Sequence, residues 1–571
     1  MPSASLPASL IPAQRIVRPR LSRAAWIMRA GQWLALIALA LTLLLPMAVL
    51  LSRAFSNQAG DFVWLVNFAT YVTTPALFTA AWNSVWTAAL TTLLVIPLAF
   101  GYAYALTRSR MPAKGLFRAA MLIPVLAPSL LPALALITLF GNQGLLRGAL
   151  FGYPLYGPVG VIMAQVFACF PHAALILTVA LGTADGRLYE AASSLKAHPL
   201  RVFLTVTLPQ ARYGLVSAAI VVLTLVMTDF GIPKVIGGQF PVLATDVYKQ
   251  VVGALDFNMG AVVGIVLLLP AIAAFLIDRW AQRQREATMS GRAVAYTPKR
   301  HRMRDGLCLL HCLVVAGVLL GLTGVAIWGS LVTFWPYNLT LTAANYAFDS
   351  FDPAGWGAVW NSVKLATLVA IIGAPLVFTM AWLLERGPQG GPIPPLLRLA
   401  ATLPLAIPGL VLGLAYILFF NHPANPLEYF YGGLAILVAN SLVHFYTVGH
   451  LTAVTAIRQL DPEFEAVGAS LRVPVFVTFG RVTVPICLPA ILDIAVYLFV
   501  NAMTTVSAVI FLYGPDTKLA AIAVVHMDEG GQGSAAAAMA CTILAITSAV
   551  KLVHVAMGGV VNRATQAWRK R

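Results

Sequence analysis

Twelve long apolar stretches alternate with short polar ones along the chain. They cover 32–51, 83–106, 119–139, 159–181, 215–232, 259–277, 307–332, 361–384, 399–420, 433–457, 490–513 and 535–557. Stretches of about 20 apolar residues are long enough to cross a ~30 Å hydrocarbon core as helices. Backbone groups in lipid must be satisfied within the segment, so each stretch is predicted as a helix. Pro, Gly and polar residues interrupt many of them, which suits helices packed against protein rather than lipid.

The pattern repeats. Trp82-Asn83-Ser84-Val85 opens the second stretch and Trp360-Asn361-Ser362-Val363 opens the eighth. Pro97-Leu98 and Pro375-Leu376 follow at the same spacing, Ile123-Pro124 with Pro128 matches Leu403-Pro404 with Pro408, and Pro209 matches Pro485. The offset between partners stays nearly constant throughout. An even number of stretches separates the members of each pair, so the halves share one orientation across the membrane, as a parallel repeat. The expected organisation is a basic tail (1–30), a first half (31–277), a basic linker (278–304), a second half (305–560) and a basic tail (561–571).

Composition agrees with this reading. The chain of 571 residues is 60% hydrophobic and 10% charged, against roughly a quarter charged in soluble domains. The net charge of +17 is concentrated in places that fall on one side if the spans alternate. Arg15, Arg18, Arg20, Arg23 and Arg29 precede the first span, and Arg108, Arg110, Lys114 and Arg118 sit in one short loop. Arg279, Arg283, Arg285, Arg292, Lys299, Arg300, Arg302 and Arg304 lie in the linker, and Arg563, Arg569, Lys570 and Arg571 end the chain. This positive-inside distribution puts both termini in the cytoplasm and argues against nucleic-acid binding. The linker reads as a cytoplasmic tether, with contact to anionic lipid headgroups as an alternative. The Arg-rich start followed by 33–51 is read as a retained first span, too long for a signal-peptide core. Aromatics in the loops 52–81 and 333–359 are read as interfacial anchors, or as part of a docking surface for a substrate-delivery protein.

Chemistry is sparse. Cys169, Cys308, Cys312, Cys487 and Cys541 lie in or beside apolar spans. Cys308 and Cys312 are one helical turn apart, but no other Cys or His cluster completes a metal site. The chain contains no Gly-x-x-x-x-Gly-Lys-Ser/Thr phosphate loop, so it cannot hydrolyse ATP by that route. No nucleophile–base arrangement is evident, and no catalytic residue is assigned.

Two polar loops, 183–212 and 458–486, occupy matching places in the halves. The first reads Glu190-Ala191-Ala192-Ser193-Ser194-Leu195-Lys196, then Thr207-Leu208-Pro209. The second reads Glu465-Ala466-Val467-Gly468-Ala469-Ser470-Leu471-Arg472, then Thr483-Val484-Pro485. Glu190–Ala197 is rich in helix formers. His198-Pro199 breaks the helix, and 200–206 can restart it. Small residues on such a helix let a partner's backbone come close.

These loops resemble the EAA loop of ABC-importer permeases, the helix-turn that docks into the ATPase subunit. The family pattern carries a Gly where this chain has Lys196 and Arg472, and the second copy is one residue longer between Glu465 and Pro485. The resemblance implies an all-α polytopic fold of about twelve transmembrane helices, arranged as two parallel-repeat type I ABC importer permease domains. It implies a bacterial inner-membrane location, two copies of a cytoplasmic ABC ATPase carrying ATP and Mg, an extracytoplasmic solute-binding protein, and no cofactor in the chain itself. It assigns ATPase coupling to Glu190, Ala191, Ala192, Leu195, Lys196 and Pro209, and to Glu465, Ala466, Gly468, Leu471, Arg472 and Pro485.

The layout of fused six-span halves is similar to ferric-iron, thiamine and phosphonate permeases. The stretch Thr228-Asp229-Phe230-Gly231-Ile232-Pro233-Lys234, on to 250, and its counterpart 501–520 resemble 2-aminoethylphosphonate permeases. That makes 2-aminoethylphosphonate the expected substrate, with ferric iron next, then thiamine or a polyamine. Asp229, Lys234, Thr504, Thr505 and Ser507 are the expected pathway residues, since ionisable groups in or near a membrane often face an aqueous path. Alternatively, Asp229 and Lys234 pair with each other, and the hydroxyls pack helices. His444 and His450 are read as packing residues. A different class, an ion-driven secondary transporter, would need intramembrane charges, and Lys364, Asp493 and Lys551 lie near span ends.

Overall fold

The computed structural model of the protein describes residues 23–288, 294, 296–461 and 463–566. Arg15, Arg18, Arg20, Arg292, Arg569, Lys570 and Arg571, assigned above to basic flanks, lie outside the described residues. Among the described residues, nine helices are long and apolar enough to cross a membrane, and counting each of three bent pairs as one span brings the number to twelve. The architecture is the expected helical one. The only strands among the described residues form a small hairpin, Val332–Phe334 with Asn338–Leu341, within the loop 333–359.

Three stretches expected as straight spans are bent. The third (119–139) is two helices, Lys114–Leu126 and Leu130–Phe140, at 97°. The ninth (399–420) is Ile393–Ala406 and Gly409–Phe420 at 112°, and the tenth (433–457) is Leu434–His444 and Tyr446–Arg458 at 54°. The first two breaks fall at Pro128 and Pro408. A residue before proline avoids the helical region, and Ala127 (ψ 148°) and Ile407 (ψ 117°) are both extended.

The fifth and eleventh spans begin earlier than the pattern predicts and end sooner. Pro199–Thr228 and Val475–Thr504 are each one long helix, so the second part of each polar loop runs straight into a span. Proline lacks an N–H and crowds the preceding turn. Both helices absorb it by widening to a π turn, Phe203–Thr207 before Pro209 and Phe479–Thr483 before Pro485. The linker is also shorter than expected, because helix Phe257–Thr288 runs well past 278 and the next helix starts at Arg302.

Equivalent polar bonds pin the helices in both halves. Ser84 Oγ accepts from Leu243 N and Ser362 Oγ accepts from Ala520 N, both at 2.8 Å. Asn83 Nδ2 donates to Pro241 O, and Asn361 Nδ2 to Asp516 O and Lys518 O. Arg108 donates to Leu181 O at 2.7 Å and Arg386 to Ile457 O at 3.1 Å. These bonds pair polar groups for which lipid would offer no substitute. Small residues set the helix spacing. A Cβ on Gly214 would lie 2.3 Å from that of Ala180, so any larger residue would push Pro199–Thr228 away from Pro158–Gly182.

Candidate functional site

The two polar loops fold alike. In the first, Asp185 caps helix Gly186–Ser194 by accepting from Arg187 N at 3.0 Å. The helix closes with Lys196 in the left-handed region (φ 51°) and Ala197 N donating to Ala192 O. In the second, helix Glu463–Ser470 closes with Arg472 at φ 55° and Val473 N donating to Gly468 O. This is the αL ending that usually takes Gly, which gives a physical reason for the family's glycine where this chain has Lys196 and Arg472. A long side chain costs about 1 kcal/mol or more in that region.

The closing bonds pair Ala192 with Gly468 and Lys196 with Arg472, the same register that pairs Pro209 with Pro485. The extra residue inferred between Glu465 and Pro485 is therefore not an insertion. Structurally, Ala466 is the counterpart of Glu190, and Glu465 takes the place of Tyr189. Glu190, Ala191, Leu195 and Lys196 are exposed, as are Ala466, Leu471 and Arg472, whereas Ala192 is buried and Gly468 half-buried. Pro209 and Pro485 open the long helices. The most exposed large apolar residues of the two loops are Leu195 (82%) and Leu471 (70%), at equivalent positions.

The first loop is held more tightly than the second. Gly186 N donates to Val294 O of the linker at 2.8 Å. The rings of Tyr189 and Tyr296 stand 4.5 Å apart, and the Arg108 guanidinium lies against both, 4.8 and 4.9 Å from their centroids. Arg110 N also donates to Asp305, so the loop after the second span, the linker and the first polar loop all meet at one end of the molecule.

Between the halves lies a cavity of about 250 Å³. The broken third span contributes Ala127 and Ser129, the fourth Gln165, Cys169 and His172, and the end of the fifth Asp229 and Phe230. The second half contributes His444, Asn501, Thr504, Thr505 and Ser507. Irregular backbone at this depth is tolerated where it lines a cavity. The structure thus brings together Asp229, Thr504, Thr505 and Ser507. It does not bring Lys234, which pairs with Glu529 at 2.5 Å rather than with Asp229.

Asp229 is the one Asp, Glu, Lys or Arg among the described lining residues. Its Oδ2 finds no hydrogen-bond partner among the described residues, and neither does Nδ1 of His172 or of His444. Thr504 Oγ1 and Asn501 Nδ2 bond back to their own helix. Sequence reasoning misses His172, and His444, expected to pack, lines the cavity. Gln165 offered a readable signal, a polar residue in mid-span. Among the described residues no three His, Cys, Asp or Glu side chains come together to hold a metal ion.

Comparison with known proteins points one way. Residues 95–286 match the family described as "Binding-protein-dependent transport system inner membrane component". The chain is 28% identical over 477 residues to the ferric transport system permease protein FbpB of Actinobacillus pleuropneumoniae, covering 80% of this chain and 68% of that one. It is 26% identical over 405 residues to the thiamine transport system permease protein ThiP of Brucella abortus, covering 68% and 70%. It is 30% identical over 217 residues to the molybdenum transport system permease protein ModB of Mycobacterium tuberculosis, covering 37% of this chain and 81% of that one.

Proposed function

The chain belongs to the family of binding-protein-dependent transport system inner membrane components, and from that premise we propose that it carries ferric iron through the membrane. It is a multi-pass membrane subunit of an ABC importer and not a catalytic enzyme, the ATPase being a separate subunit. We further propose that 31–277 and 305–560 are fused permease halves, that two ATPase copies grip the loops 183–212 and 458–486, and that a binding protein delivers cargo to the opposite face. The basic loop, linker and first polar loop meeting at one end support a cytoplasmic assignment for that end.

The observation that carries the substrate reading is the charge of the cavity. The phosphonate end of 2-aminoethylphosphonate finds no Lys or Arg among the described lining residues, and only its ammonium end is suited to Asp229. A cation meets the Asp229 carboxyl, an oxygen ligand that suits a hard metal ion, with no Lys or Arg among the described lining residues to oppose it. The ferric permease similarity over 80% of the chain supports the same substrate. 2-Aminoethylphosphonate, expected from segments 228–250 and 501–520, loses Lys234 as its counter-charge.

The test is uptake of radiolabelled ferric iron and of labelled 2-aminoethylphosphonate in cells with and without the gene. Loss of iron uptake alone is expected. Loss of phosphonate uptake alone would overturn the ferric reading and leave the permease assignment standing.

A further inference from the structure

Aromatic rings from both halves stand in a row that starts at the cavity wall. Phe230, itself a lining residue and 1% exposed, lies 5.2 Å from the Tyr248 ring. Tyr248 in turn faces Phe511 of the second half, 6.2 Å away and tilted by 21°. Lys234 Nζ sits 4.6 Å over the Tyr248 ring and 2.5 Å from Glu529 Oε1. Lys234 belongs to helix Gly231–Ile236, directly after Asp229, and Glu529 ends helix Ala520–Glu529 of the other half.

Resting on the transporter reading and its orientation, we propose that Phe230, Tyr248 and Phe511 form the outer gate of the pathway, and that the Lys234–Glu529 ion pair is its latch. The rings exclude water from the cavity because they are apolar and close-packed. The ion pair crosses between the halves at their meeting point, so separating the halves must break it. Its side chains are 22% and 44% exposed, and a solvated pair is weak, which suits a contact broken in every cycle. The latch is single. In the register set by the matched pair Leu243 and Ala520, Phe511 stands where a second Lys234 would be, and Val252 where a second Glu529 would be.

Cys169 is a native reporter, because it lines the cavity and is 4% exposed. Right-side-out membrane vesicles are treated with a membrane-impermeant thiol reagent, and the Cys169 peptide is read by mass spectrometry. A membrane-permeant reagent and Cys169→Ala serve as controls. Lys234→Glu places two carboxylates together and is expected to raise Cys169 labelling at least fivefold. Adding Glu529→Lys restores an ion pair of opposite sense and is expected to return labelling to the native level.

Unchanged labelling in Lys234→Glu, with the permeant reagent still reacting, would overturn the gate. Raised labelling that the charge swap does not reverse would overturn the latch. Raised labelling confined to inside-out vesicles would overturn the outer assignment, independently of the uptake result.

Discussion

Replacing Leu195 and Leu471 by alanine tests whether the two polar loops grip a motor subunit. Leu→Ala removes three carbons, each worth about 0.8 kcal/mol on burial, or ~2.4 kcal/mol in all. Leu195 is 82% exposed and Leu471 70%, so about 2.0 and ~1.7 kcal/mol are available if docking buries them fully. At ~1.4 kcal/mol per decade, that weakens the two contacts roughly thirtyfold and about twentyfold. Both side chains point away from the body of the chain, so folding and membrane insertion should be unaffected. The assay is retention of the cognate ATPase on membranes carrying each variant, titrated against ATPase concentration, with uptake measured in the same cells. The double variant should lose ATPase retention and uptake while its membrane level stays native. Retention within twofold of native for both single variants and the double would refute the docking argument.

Asp229→Asn removes the sole carboxyl group among the described lining residues and should lower ferric uptake at least tenfold at unchanged membrane level. Lys196→Gly and Arg472→Gly each relieve a left-handed residue that costs about 1 kcal/mol or more, partly offset by greater unfolded-chain freedom. Slower proteolysis at the two turns, with native uptake, is the expected result. Ser84→Ala and Ser362→Ala each strand a buried backbone N–H and should cost about 1–3 kcal/mol, read as a lower melting temperature in detergent. Similar losses from the two are expected because the bonds are equivalent.

The long spans were legible because lipid imposes one solution on an apolar stretch, and the repeat was legible through Asn83 and Ser84 and their counterparts Asn361 and Ser362. The breaks at Pro128 and Pro408 were visible as residues but not as bends, since proline inside a helix can also be absorbed. Pro97 and Pro375 lie within unbroken helices. The shifted register of the second polar loop was misread because Glu465-Ala466 matches the motif, whereas the turn geometry at Arg472 sets the pairing. Asp229 stands out in the sequence as an ionisable residue at the end of an apolar span. Its neighbours His172 and His444 do not, because the cavity wall is assembled from residues far apart in the chain. The alternative pairing of Lys234 with Asp229 fails for the same reason, as its partner Glu529 lies in the other half.

What the halves share and where they differ follows a physical division of labour. Backbone-directed bonds are duplicated, from Ser84 and Ser362 to Arg108 and Arg386, because both halves must solve the same problem of burying polar groups in lipid. The turns at Lys196 and Arg472 are duplicated too, which suits the proposed docking to two copies of the ATPase. The polar link between the last two long helices of each half is kept in place but not in kind. Ser217 bonds Asp278 in the first half, and Asp493 bonds His554 at the matching positions of the second. Residues that meet in the cavity have no such constraint. A single small cargo needs one carboxylate, not two, and Asp229 stands opposite Thr504 and Thr505. Symmetry is therefore retained where the bilayer demands it and where the proposed motor subunits would dock, and lost along the proposed path. That asymmetry is itself a reason to seek substrate and gating determinants among residues whose counterparts differ, Asp229, His172, Lys234 and Glu529 first.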